Sequence, residues 1–150
     1  MSLHLNTFSI VARCPRSGQL GVAVSTAVPA VGALCPYVKA GVGAVSTQSW
    51  VNPYLAISAL QLMEQGVCAP DVLKRIMADD DGADLRQIGV VDANGGSASW
   101  TGADCTSWCG HITGADFAIQ GNMLVGEATL TAMAEAFSAS AAEDLAERLL

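Results

Sequence analysis

The sequence predicts an α+β fold in which sheets stack on one another and helices lie outside them. Three observations carry this. Apolar residues make up 51% of the 150 positions and charged residues only 14%, so sheets with so little charge need cover on both faces. The patterning runs through strands, then two helices, then more strands, then two helices. Aromatic residues are few, at 5%, and glycines number 15, so the core must be built from Val, Leu, Ile, Ala and Gly, which suits closely packed layers. A chain of this length suits a single domain spanning residues 1–150. It can bury roughly two-thirds of its unfolded surface without help from disulfides or metal.

Residues 1–6 read as a tag or flexible tail, because "MSL" ahead of "HLNTF" resembles an expression scar. From Thr7 to Cys14, Phe8, Ile10 and Ala12 share one face and Thr7, Ser9 and Val11 the other. "PRSGQ" supplies turn chemistry and "LGVAVST" returns as the second strand of a hairpin. Its Gly21, Ala23 and Ser25 form a small-residue face that another layer can approach closely. "CPYVKAG" reads as a loop, and "GAVSTQSW" as a third strand. Asn52 is placed to cap a helix opened by Pro53. That helix directs Leu55, Ala59, Leu62 and Met63 to a core and ends at Gly66. A shorter helix follows Pro70 and runs to about Ala78. In "RQIGVVDANGGSASW" the Asn94–Gly95 pair signals a hairpin, and "DFAIQGN" is a further strand. Leu130, Met133 and Phe137 have helical spacing between Gly126 and Phe137. "SASAAE" restarts a helix, with Ser140 and Glu143 as a capping box. The sequence stops inside that helix pattern, so closing C-terminal elements are expected beyond it.

Fourteen acidic against seven basic residues give a net charge of −7. With no cluster of Lys and Arg, a nucleic-acid or anionic-membrane partner is not expected. The apolar runs are too short to span a membrane. The five cysteines, Cys14, Cys35, Cys68, Cys105 and Cys109, are odd in number and irregular in spacing. That pattern suits reduced thiols and a cytoplasmic location.

Several polar positions are candidates for chemistry. Thr7 heads the first strand, where some hydrolases place a nucleophile activated by its own α-amine. Such an amine, with a pKa near ~7.7–8.0, can take the hydroxyl proton. Here the nitrogen is bound to Asn6, so cleavage would be required, and the competing interpretation of Thr7 is an ordinary strand residue. His111, in "WCGHITG", reads as a loop residue able to act as acid or base. Gln120 and Asn122, at a strand end, could hold a carboxylate or polarise a carbonyl, or else simply tie down a loop. Thr47 and Gln48 are a similar pair. Cys105, Cys109 and His111 lack a standard zinc spacing, Asp79–Asp80–Asp81 lacks calcium-loop spacing, and "GNMLVG" is no phosphate loop. No metal or cofactor is expected.

Six stretches in order, "TFSIVAR", "GQLGVAVST", "AGVGAVSTQS", "RQIGVVDANG", "TGADCTSWCGHITGADFAIQGNML" and "MAEAF", resemble a family catalogued as domain of unknown function 1028. The resemblance runs from Thr7 to Leu150. It implies a fold similar to that of the N-terminal-nucleophile (Ntn) hydrolases, a four-layer αββα sandwich, with further helix and strand beyond the present end. By the same analogy, Lys39, thirty-two residues after Thr7, matches the place of a lysine that lowers the nucleophile's pKa. The competing role for Lys39 is an exposed turn residue. The resulting expectation is hydrolysis of a small amide or lactam, with Thr7 as nucleophile, Lys39 and His111 assisting, and Thr47, Gln48, Gln120 and Asn122 binding substrate. The alternative is a non-catalytic module holding a small polar ligand on the same fold. Assembly into a homo-oligomer is also expected, since an open sheet edge invites pairing.

Overall fold

A computed structural model describes residues 6–150. Its elements in chain order are β1 (Thr7–Arg13), β2 (Leu20–Thr26), β3 (Pro36–Lys39), β4 (Gly43–Ser49), α1 (Pro53–Glu64), α2 (Ala69–Ala78), β5 (Arg86–Asp92), β6 (Ser97–Thr101), β7 (Gly110–Gly114), β8 (Phe117–Asn122), α3 (Ala128–Ala139) and α4 (Leu145–Leu149). Of the expected tail, residues 1–5 lie outside the described residues and Asn6 is exposed.

The strands form two four-stranded sheets, ordered β2-β1-β8-β7 and β3-β4-β5-β6, with every pairing antiparallel. Side-chain alternation along each strand separates the layers. In the first sheet Ile10, Ala12 and Ile119 face α3 and α4, packing with Leu130, Phe137 and Leu145. In the second, Val45, Ile88 and Val90 face α1 and α2, packing with Ala59, Val72 and Ile76. The remaining faces meet each other, where Val11, Ala44, Val91 and Ala118 make a small apolar cluster. Each sheet is thus covered on its outer face by two helices and on its inner face by the other sheet.

Local signals account for most element ends. Asn52 Oδ1 accepts the Tyr54 amide at 3.2 Å, and Gly66 takes φ 86° after α1. The β5–β6 turn contains Gly95 at φ 89°. Asp92 closes that turn, accepting the Asn94 and Gly96 amides at 2.9 Å each. Its second oxygen accepts the Ala69 amide at 2.9 Å, so one carboxylate joins the hairpin to the start of α2. The small face of β2 serves the predicted purpose. A Cβ on Gly21 would lie 2.7 Å from Leu149 Cδ1, which is how closely α4 packs there.

Three expectations are corrected. "PYVK" is strand β3, not loop, because β4 beside it has a free edge that it pairs. His111 lies on strand β7, not on a loop, since Gly110–Gly114 pairs with Phe117–Gly121. Ser140 does not open a helix. It is the capping residue just after α3, its hydroxyl donating to the Ala136 carbonyl at 2.9 Å, and α4 begins only after Asp144.

Candidate functional site

Thr7 opens β1 on the same strand face as Ser9 and Val11, so its side chain is directed toward the space between the sheets. It is only 7% exposed, and its Oγ1 lies 2.8 Å from Thr26 Oγ1 on the paired strand β2. On the other side its cross-strand partner is Asn122 of β8. Arg13 donates its amide to Asp116 at 2.8 Å. Antiparallel alternation from that bond turns the Thr7 amide toward Asn122 as well. Asn122 is fully buried, its Nδ2 donates to Gln87 Oε1 at 2.9 Å, and among the described residues its Oδ1 has no hydrogen-bond partner. A buried carbonyl left without a donor is uncommon and costs about 1–3 kcal/mol.

A cavity of about 90 Å³ opens beside Thr7. Thr26, Gln48 and Ser49 complete its polar end, while Val28, Val31, Leu34 and Val51 form an apolar wall. Ser49 holds φ 67°, a left-handed conformation uncommon for a residue with a side chain. Such strain concentrates at functional sites. Cys35 also faces this cavity. Burial pushes its thiol up to about 11, so it stays protonated at neutral pH and acts as apolar wall rather than as a nucleophile. A larger cavity of about 320 Å³ lies against Phe8, Ile10, Met133 and Phe137, on the opposite face of β1 from the Thr7 hydroxyl.

Behind Thr7 a polar network crosses from sheet to sheet. Gln120 Nε2 donates to Ser9 Oγ at 2.6 Å, and Ser9 donates to Gln48 Oε1 at 2.7 Å. Gln48 Nε2 donates to Gln87 Oε1 at 2.7 Å. Gln87 Nε2 reaches the Gly121 carbonyl at 2.8 Å and Thr101 Oγ1 at 3.0 Å. Ser99 donates to Gln120 Oε1 at 3.0 Å. Ser9, Gln48, Gln87, Gln120 and Asn122 are all fully buried. Of these, Ser9 and Gln87 escape sequence reasoning. The signal that could have found Gln87 is a polar residue in phase with Gly89 and Val91 on a strand otherwise built for burial.

The other expected site residues fall elsewhere. Thr47 is fully buried, but it follows Val45 in phase and so faces α1 and α2, away from Gln48. Among the described residues its hydroxyl has no partner there. Lys39 pairs with Gly43 at the far end of β4, about 17 Å along that strand from Gln48. Its Nζ is 2.6 Å from Glu64, so the structure does not bring it together with Thr7. His111 contacts Thr101 Oγ1 through Nδ1 at 2.9 Å. It is two strands from Ser9, which puts it roughly 12 Å from Thr7 between Cα atoms. Partial burial lowers its pKa. Gln120 is held in the network by hydrogen bonds at both ends. Among the described residues, no group of three or more His, Cys, Asp or Glu is placed to hold a metal, and no helix is long and apolar enough to cross a membrane.

Two facing antiparallel sheets, a polar seam between them and a small cavity at the head of β1 define a mixed α/β protein with a recessed site. A family model described as a family of unknown function, DUF1028, matches residues 7–150, and the chain belongs to that family. The crystal structure of protein SPO2555 from Silicibacter pomeroyi, which carries the same family assignment, is similar with a TM-score of 0.91 and 30% sequence identity. The alignment covers 96% of this chain and 66% of that one, so this chain spans about two-thirds of the length of its relative. Comparison with curated proteins finds no match.

Proposed function

We propose that this protein is an amide hydrolase of the N-terminal-nucleophile type, with Thr7 as the attacking residue once the Asn6–Thr7 bond is cut. The observation that carries the reading is that Thr7, which lines a small cavity, has as its cross-strand partner the buried Asn122, whose Oδ1 is without a hydrogen-bond partner among the described residues. The two stacked sheets with outer helices support an Ntn-like fold, and the family match beginning at Thr7 agrees with that residue as the head of the domain.

In this mechanism the freed α-amine accepts the proton of Oγ1 as the oxygen attacks the carbonyl carbon. The amine returns that proton to the leaving nitrogen when the C–N bond breaks, leaving an ester on Thr7. Water then attacks the ester, giving its proton to the amine, and the acid departs as Thr7 Oγ1 regains a hydrogen. Asn122 Oδ1 would accept an N–H of the amine and aim its lone pair. Thr26 would hold the hydroxyl in place. A second reading, a non-catalytic module binding a small ligand in the same cavity, is favoured by the bond that joins Thr7 to Asn6.

Intact mass and N-terminal sequence of protein produced without an added leader test the proposal directly. A chain starting at Thr7 that hydrolyses amides, and loses at least about a thousandfold in rate on Thr7→Ala, supports it. A chain retaining Asn6, or a Thr7→Ala variant with full activity, overturns it in favour of binding.

A further inference from the structure

Among the described residues, nothing that lines the cavity beside Thr7 carries a formal charge while the freed Thr7 amine is in the neutral form that takes the hydroxyl proton. Its wall is Val28, Val31, Leu34 and Val51, and its polar groups are hydroxyls and an amide. The Cys35 thiol is held neutral by burial. A carboxylate or ammonium placed there would lose water and gain no counter-ion, a cost of several kcal/mol for an ion taken out of water. The dimensions restrict the occupant further. About 90 Å³ is smaller than the ~150 Å³ of an apolar cavity that takes benzene, which suits a short branched chain and leaves too little room for a phenyl ring with its linker.

The position adds direction. The acyl part of a substrate stays attached to Thr7 after the amine leaves, so it is the part that needs shelter beside Oγ1. The leaving amine has only to reach solvent. Resting on the hydrolase reading above, we infer that the cavity is an acyl-group specificity pocket for an uncharged, branched aliphatic acyl chain of about three to five carbons, and that the substrates are amides of such acids. Val31, Leu34 and Val51 are then specificity residues, and anionic or aromatic acyl groups are excluded.

The test has two arms. In the first, a chain beginning at Thr7 is assayed on isovaleryl, succinyl and phenylacetyl amides of one chromogenic amine. The isovaleryl amide should have the highest kcat/KM, by at least roughly a hundredfold over succinyl and about tenfold over phenylacetyl. Equal or better turnover of either competitor overturns the inference. In the second arm, isovaleramide and succinamate are titrated into the chain with residues 1–6 intact while methyl resonances are followed. Saturable shifts at Val31, Leu34 and Val51 with isovaleramide alone support the pocket's selectivity even if no amide is hydrolysed, in which case only the hydrolase chemistry falls. No shifts, or equal shifts with succinamate, overturn it. Leu34→Trp fills the cavity from a position 44% exposed, which leaves the fold room to accept it, and should abolish both the shifts and the isovaleryl preference.

Discussion

Ser9 on β1 donates its hydroxyl hydrogen to Gln48 Oε1 on β4 at 2.7 Å, across the gap between the two sheets. Both residues are fully buried. Two sheets packed through apolar side chains alone could slide; a directional bond between fixed strand positions sets how they lie on one another. The same network sits directly behind Thr7, so it also determines how rigidly the cavity is backed. Polar seams of this kind rigidify where their members are satisfied, as Ser9, Gln48 and Gln120 are here, while among the described residues Asn122 Oδ1 is left open at the Thr7 end.

Gln87 is the most connected member, accepting from Gln48 and Asn122 and donating to Thr101 and to the carbonyls of Gly110 and Gly121. Gln87→Met keeps the shape and removes every one of these bonds. The stranded amide donors of Gln48 and Asn122 should cost about 3 kcal/mol together. Thermal unfolding monitored by circular dichroism should show a Tm lower by roughly 10 °C.

A backbone position tests the same seam from the other side. A Cβ on Gly89 would lie 2.1 Å from Gln120 Oε1, so Gly89→Ala must displace an amide that is itself bonded to Ser9 and Ser99. Urea unfolding should report a loss of about 1–3 kcal/mol. Gly32→Ala is the control, since nothing lies within 4 Å of that Cβ, and its effect should stay within about 0.5 kcal/mol.

For the catalytic reading, Asn122→Leu in a chain beginning at Thr7 is the informative variant. An acceptor beside an amine favours the protonated amine and raises its pKa. Losing Oδ1 should therefore lower the amine pKa, moving the rising limb of the pH–rate profile to lower pH. At the plateau kcat should fall by about ten- to a hundredfold, because the lone pair is no longer aimed. An unchanged limb with unchanged kcat would remove Asn122 from the mechanism.

Asp80 and Arg86 predict a pH effect on stability. Their ion pair spans 2.8 Å with both side chains largely buried. The hydrogen bond from Arg86 lowers the Asp80 pKa below its ordinary 3.8. A depressed carboxylate pKa adds stability that is present above the unfolded value and is lost as pH falls through the folded one. Asp80→Asn should thus be less stable than the parent at pH 7, by about 1–2 kcal/mol. The difference should shrink below pH 3.8, which denaturant titrations at a series of pH values would reveal.

Sequence reading succeeded where the instruction is local. The β1–β2 hairpin, Asn52 and Gly66 bounding α1, the Asn94–Gly95 turn and the small face of β2 all act within a few residues, or show as a repeating period. Failures came where a partner far along the chain decides the outcome. "PYVK" and "GHITG" are short and broken by Pro or Gly, and become strands only because β4 and β8 offer edges to pair with. Lys39 stood at a suggestive spacing from Thr7, yet spacing along the chain says nothing about which end of β4 the lysine reaches.

Thr7 and the candidate roles of Gln48, Gln120 and Asn122 were legible as residue types on strands. What brought Asn122 beside Thr7, put Gln48 behind the cavity and turned Thr47 away was the register of β1 on β8 and the stacking of one sheet on the other. The sequence by itself determined the alternating faces, the turns and the helix ends, because those follow from bonds and periods a few residues long. Only the tertiary structure decided the site, because strand register and sheet stacking are settled by how distant apolar faces and buried amides satisfy one another at once.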